Sequence, residues 1–333
     1  MSGHSTTTSN PQPGTTVAVQ DRYGPASNTE AIIDVRGLVK HYGALTAVDG
    51  VTLKVMTNEI FGILGPNGAG KTTTLEMVEG LREPDAGSIT IAGIDVVADP
   101  AAVKRVIGVQ LQSIALFDHL SARELIQLFA SLSGGDSSRG RADELISLVS
   151  LDEKADSYAD QLSGGQRQRL SIALALVNDP AVIFLDEPTT GLDPQARRNL
   201  WDLIRHLRDS GKTVVLTTHY MEEADVLCDR VAVMDHGQII ACDTPLALIQ
   251  SLDVVASINA RVNYPLNIDG LPGALDASAV DDQITVSTRD VPLTLSALLA
   301  RASEHGIQLQ NLSTSQATLE DVFLTLTGRS LRE

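Results

Sequence analysis

The sequence predicts an α/β fold built on a parallel sheet, followed by a smaller α+β unit. Three observations carry that prediction. A glycine-rich stretch, Gly65-Pro66-Asn67-Gly68-Ala69-Gly70-Lys71-Thr72, lies between an apolar strand from Glu59 to Leu64 and a helix from Thr72 to Gly80. Val182-Ile183-Phe184-Leu185 is a continuous apolar run, as expected of a central parallel strand covered on both faces. After Val254 a new series of short strands and helices begins.

Taken in order, residues 1 to 29 are rich in Ser, Thr, Pro, Asn and Gly, which predicts a disordered tail. Alternating apolar residues predict strands at Ala31 to Arg36 and Val48 to Val55, with a hairpin-like stretch at Gly87 to Gly93. Residues from Ala122 to Ala155 read as helical, with Leu125, Leu128, Phe129, Leu145, Leu148 and Val149 apolar and a Gly/Ser-rich turn from Ser133 to Gly140. A helix is expected from Leu200 to Arg208, a strand from Thr213 to Thr217, a helix from Glu222 to Leu227 and a hairpin from Val231 to Ala241. The larger unit is expected to close near residue 250. In the second unit the pattern gives strands at Ser257 to Val262, Gln283 to Ser287 and near Ile307 to Leu312. A helix is expected from Leu293 to His305, and a last one from Ala317.

Composition narrows the function. The 333 residues are 43% hydrophobic and 20% charged, with a formal net charge of −17, which argues against nucleic acid as the main partner. Cys228 and Cys242 are too few for a disulfide framework or a metal cluster, and a reduced cytoplasmic setting is expected. No run approaches the length of a membrane span, and no basic-then-apolar secretory signal is expected at the start.

The glycine-rich stretch fits the phosphate-loop pattern GxxxxGK[ST]. Gly65, Gly68 and Gly70 let the backbone turn tightly and aim N–H groups at phosphate oxygens, with the positive end of the helix dipole behind them. Lys71 is placed to reach the β- and γ-phosphates, and Thr72 to hold Mg²⁺. Two adjacent carboxylates, Asp186 and Glu187, end the apolar strand; burying them without partners would be costly. Asp186 is read as a Mg²⁺ ligand and Glu187 as the group that polarises the attacking water.

Leu162-Ser163-Gly164-Gly165-Gln166 resembles the LSGGQ signature of the ATP-binding cassette (ABC) proteins. Ser163 is a good helix cap, and the helix it opens makes an anion site in its own right. The remaining motifs follow in that family's order over about residues 32 to 250. The resemblance implies that Gly65, Pro66, Asn67, Gly68, Ala69, Gly70, Lys71, Thr72 and Thr73 bind the ATP phosphates, and that Tyr42 stacks on adenine. It implies that Gln112, favoured over Gln110 by the spacing to Leu120-Ser121-Ala122-Arg123-Glu124, contacts Mg²⁺ and the transmembrane partner. Asp193 matches the D-loop, and His219 the switch histidine on the γ-phosphate. Ser163, Gly164, Gly165 and Gln166 would face the γ-phosphate bound to a second copy.

The fold so implied is a phosphate-loop NTPase of ABC type spanning 30–250, with an antiparallel β subdomain and a helical subdomain at about 113–165. A small α+β domain would span 251–333 and either regulate closure, strengthen a homodimer or simply pack on the cassette. Met77-Val78-Glu79-Gly80-Leu81 and Ala317 to Phe323 resemble drug- and antibiotic-exporting ATP-binding subunits of the daunorubicin-resistance type. That implies ATP hydrolysis by a head-to-tail homodimer that drives a separate membrane permease from the inner face of the cell membrane. A soluble ABC ATPase acting on ribosomes or DNA is the alternative, but such proteins usually carry two cassettes or a long coiled-coil insertion. A third reading, an ATP-sensing module without turnover, is opposed by the presence of Glu187 and His219.

Overall fold

A computed structural model describes residues 30–110, 117, 119–252, 254 and 256–328. The tail expected at residues 1–29 and the expected ligand Gln112 lie outside the described residues.

The chain begins with two long antiparallel strands, β1 (Ala31–Tyr42) and β2 (Leu45–Met56). Strand β3 (Ile60–Leu64) runs into the phosphate loop and helix α1 (Lys71–Val78). The hairpin of β4 (Ala86–Ile91) and β5 (Ile94–Asp95) then joins β1, giving a four-stranded antiparallel sheet in the order β2-β1-β4-β5. Helix α2 (Pro100–Val106) leads to β6 (Ile107–Gln110).

The helical lobe holds α3 (Ala122–Leu132), α4 (Arg139–Leu148) and α5 (Gly164–Ala175). Beyond them come β7 (Val182–Asp186), α6 (Pro194–Asp209), β8 (Thr213–Thr218), α7 (Met221–Leu227), the hairpin of β9 (Arg230–Asp235) and β10 (Gln238–Asp243), and α8 (Pro245–Gln250). The central sheet has the order β10-β9-β3-β8-β7-β6 and is parallel except for β10.

Both faces of this sheet are covered, which explains the continuous apolar runs. Ile60 and Leu64 of β3, with Ile183 and Leu185 of β7, point into a core shared with α3 to α7. Phe61, Ile63, Val182 and Phe184 point the other way, into a core shared with α1 and the antiparallel sheet.

The second unit is a four-stranded antiparallel sheet, β12-β13-β11-β14, formed by β11 (Ala256–Val262), β12 (Ala274–Val280), β13 (Gln283–Thr288) and β14 (Leu309–Gln316). One face packs on α9 (Val291–Glu304) through Ile258, Val286 and Leu298. The last helix, α10 (Leu319–Thr327), leaves this sheet: Leu319, Val322 and Phe323 are buried in the larger unit's core with Leu227 and Leu248.

Helix α2, strand β6 and helix α8 were not among the expected elements, and three further differences have plain physical reasons. Helix α6 begins six residues before Leu200, because Asp193 caps it by accepting from the Ala196 amide and Pro194 occupies its first turn. The helical reading of 122–155 ends at Leu148, and a single 3₁₀ turn, Asp152–Lys154, follows. Strand β12 was absent from the sequence pattern, because as an exposed edge strand it has no buried face to impose alternation.

Candidate nucleotide-binding site

Three neighbouring strand ends build the site. Leu64 of β3 pairs with Thr218 of β8, and Thr217 of β8 pairs with Asp186 of β7, so the loops after all three strands open on one edge of the sheet. Gly70 precedes α1 at φ 100, and a Cβ there would collide with the backbone oxygen of Ala47. Only glycine allows β2 to pack this closely against the phosphate loop.

The catalytic candidates converge. Lys71 Nζ lies 3.5 Å from Glu187 Oε1 and donates to the carbonyls of Gly65 at 2.9 Å and Pro66 at 3.1 Å. His219 Nδ1 lies 3.2 Å from the other carboxylate oxygen of Glu187, which also accepts from the Thr190 hydroxyl at 3.2 Å. The Thr72 hydroxyl sits 3.3 Å from Asp186 Oδ2. The Thr217 hydroxyl donates to Asp186 Oδ1 and accepts the Glu187 amide at 3.0 Å. Glu187 itself holds a left-handed φ of 46, a strained conformation for a residue with a side chain.

Burial shapes the charges. It lowers the affinity of Lys71 for its proton, against the pull of the Glu187 carboxylate. Burial likewise raises Asp186 above the usual carboxylate range, against the hydrogen bonds from Thr217 and Thr72. Glu79, at the end of α1, is pushed up to about 8 by burial, with the charges of Asp186 and Glu76 acting in the same direction.

Other expected residues sit on separate elements. Tyr42 is exposed at the end of β1 with the Arg82 guanidinium 5.4 Å from its ring centre, and Arg82 is paired at 2.6 Å with Glu76 of α1. Ser163 and Gln166 make a reciprocal cap at the start of α5: the Gln166 amide donates to Ser163 Oγ at 3.3 Å, and the Ser163 amide donates to Gln166 Oε1 at 2.8 Å. This end of α5 rests on the start of α6, where a Cβ on Gly165 would stand 3.1 Å from the Cβ of Ala196. Sequence reasoning passed over Thr217, Thr190, Glu79 and Glu223. A polar pair, Thr217-Thr218, ending a buried strand beside His219 was the available signal for the first of these.

The donor set fits a magnesium ion. Thr72 and Asp186 present only oxygen, and Asp186 is a buried carboxylate aimed at a hydroxyl rather than at a cationic side chain. Among the described residues no cluster of three or more His, Cys, Asp or Glu could hold a metal alone. That agrees with a cation taken up together with nucleotide phosphates.

The family model described as ABC transporter matches residues 48–190. The Nod factor export ATP-binding protein I of Ralstonia nicotianae is 39% identical, across 93% of this chain and 98% of that protein. The chain belongs to the ATP-binding proteins of ABC transporters. Its ABC relatives include the daunorubicin resistance ATP-binding protein of Streptomyces coeruleorubidus, 40% identical over 91% of this chain and 98% of the relative. The linearmycin resistance ATP-binding protein of Bacillus subtilis is 36% identical over 91% of this chain and all of its own. Among solved structures, a dimeric ATP-binding cassette in a post-hydrolysis state bound to ADP and phosphate is 30% identical, with a TM-score of 0.59. It covers 64% of this chain and 98% of its own. This ABC subunit therefore binds and hydrolyses ATP. The solved cassettes match about two thirds of the chain, whereas the export and resistance proteins also match the segment beyond it. Among the described residues no helix is long and apolar enough to cross a membrane.

Proposed function

We propose that the chain is the ATPase subunit of an exporter of drug, antibiotic or lipid-like molecules, working as a head-to-tail homodimer on a separate membrane permease. The observation that carries this reading is the division of the site between two lobes. Lys71, Asp186, Glu187 and His219 gather at the edge of the central sheet, while the capped start of α5 belongs to the helical lobe. A twofold dimer would place each α5 N-terminus against the phosphates held by the other copy.

Each side chain then has a task. The amides of the phosphate loop, residues 65 to 73, and the N-terminus of α1 hold the phosphates. Lys71 leaves the Gly65 and Pro66 carbonyls for the β- and γ-phosphate oxygens. Thr72, Asp186 and Gln112 hold Mg²⁺, which when bound neutralises charge on those oxygens. Glu187 orients the attacking water and takes its proton, with His219 and Thr190 fixing the carboxylate. Tyr42 stacks on adenine, Asp193 lies at the dimer seam, and Ser163 to Gln166 complete the partner's site. The names of the relatives support export, and the permease would hold the subunit at the inner face of the membrane, with no role for nucleic acid.

Glu187→Gln tests this reading. The variant should bind ATP, lose turnover by about 10²–10⁴-fold and elute as a dimer on gel filtration with ATP. Elution as monomer under saturating ATP would contradict the dimer mechanism. Purification of the chain together with a membrane protein would identify the permease.

A further inference from the structure

One buried carboxyl near the site has no part in the scheme above. Glu223, the third residue of α7, is fully buried. Its Oε1 accepts a hydrogen bond from the indole N–H of Trp201 at 3.3 Å. Trp201 lies in α6, the helix that Asp193 caps, and it is the chain's single tryptophan. The hydroxyls of Thr189 and Thr218 face the same carboxyl, and Arg197 lies near it. Thr189 is two residues beyond Glu187, and Thr218 immediately precedes His219. Four segments of the site therefore meet at one side chain: the loops after β7 and β8, the D-loop helix α6, and α7.

The contact is half made. Glu223 Oε2 and the fully buried Thr189 hydroxyl make no close hydrogen bond among the described residues, although Thr189 and Thr218 face the carboxyl, whereas Oε1 is bonded to Trp201 at 3.3 Å. Buried polar atoms left in that condition are costly, and a small movement of the Glu187 loop toward α7 would satisfy both at once. The adjoining contacts run the same way. The Tyr220 amide donates to Thr218 Oγ1 at 2.9 Å, the rings of His219 and Tyr220 lie 4.1 Å apart, and the Arg197 guanidinium sits 4.9 Å from the Tyr220 ring centre.

We propose that Glu223 is a positioning residue for ATP hydrolysis, tying the Glu187 and His219 loops to the D-loop helix through Trp201. Arrival of nucleotide shortens the approach of Thr189 to Glu223 and tightens the Trp201 bond, so Glu187 and His219 are set together with the D-loop. The inference rests on the roles given above to Glu187 and His219.

Because the chain has one tryptophan, its own emission reports the contact. In the full-length protein, saturating MgATP should shift or quench Trp201 fluorescence. Glu223→Gln keeps the volume and can still accept from the indole. It should bind a fluorescent ATP analogue within about twofold of the native affinity, lose the emission change, and show kcat lower on the order of tenfold with KM nearly unchanged. Trp201→Phe removes the N–H donor and should lower kcat similarly, and the double variant should be no worse than either single one.

Native kcat in Glu223→Gln, or single losses that multiply in the double variant, would overturn the proposal. Equal losses in affinity, melting temperature and kcat would mark Glu223 as merely structural, and would overturn it too. Should Glu223→Gln not fold, Trp201→Phe alone decides by the same kcat-against-KM split. Glu187→Gln run in parallel separates the two readings. Turnover retained there refutes the assigned chemistry, whereas turnover lost there with native behaviour at positions 223 and 201 refutes this proposal alone.

Discussion

The Thr217 hydroxyl links the Asp186 carboxylate to the backbone of Glu187, donating to the first while accepting the amide of the second at 3.0 Å. The two strands involved are neighbours in the parallel sheet, with Asp186 directly opposite Thr217. One hydroxyl therefore fixes both the Asp186 carboxylate, proposed to hold the cation, and the strained backbone of Glu187, proposed to activate the water. Thr217→Val preserves shape and removes both bonds. Hydrogen bonds to charged groups are worth about 1.5–3 kcal/mol, so kcat should fall on the order of tenfold or more, and the melting temperature should fall as well because Asp186 and the Glu187 amide lose a buried partner. Steady-state ATPase assays beside thermal melts check this, and unchanged kcat would refute it.

Glu79 gives a pH signature. Its folded value is pushed up to about 8 while an unfolded carboxyl stays near its ordinary value of 4.5, so between those two limits the folded state holds a proton that the unfolded state lacks. Its contribution to stability is complete below about pH 4.5 and is lost as pH rises through about 8. Glu79→Gln removes this term. The stability of native protein relative to the variant should decline with pH by at most about 1.4 kcal/mol per unit. Urea unfolding of both proteins from pH 5 to pH 8 measures the difference, and parallel curves would be inconsistent with a buried, unpaired Glu79.

Phe323, in the last helix, is 1% exposed and lies in the core of the larger unit. Phe323→Ala should destabilise the nucleotide-binding unit itself by about 3–5 kcal/mol, because a buried aromatic is lost and a cavity remains. The measurement is the unfolding transition with and without ATP. An effect confined to the small sheet, leaving the ATP-stabilised transition unmoved, would contradict the packing described here.

Much of this was readable from residue order, for physical reasons. The phosphate loop is legible because glycine is needed where β2 approaches Gly70, and because Lys71 and Thr72 must follow the turn directly. Strands β3 and β7 announce themselves because both their faces are buried. Strand β12 does not, because its side chains are exposed and no alternation is imposed. The start of α6 was misplaced because its first turns are polar and the cap at Asp193 was read only as a loop residue. Thr217 and Glu223 were missed because their importance depends on contacts across 31 and 22 residues of sequence. The return of α10 to the larger unit was hidden in the same way, since Leu319, Val322 and Phe323 state that a face is buried without stating against what.

In the proposed mechanism each reaction centre needs the α5 N-terminus of a second copy. The most direct measurement mixes two variants that are each inactive, Lys71→Ala and Ser163→Arg, in equal amounts with MgATP. Half of the random dimers would be mixed, and each mixed dimer would hold one intact centre, so ATPase activity should rise to at most roughly a quarter of native. A mixture no more active than its two components, beside native activity per molecule that persists undiminished on dilution to monomer, would contradict the account.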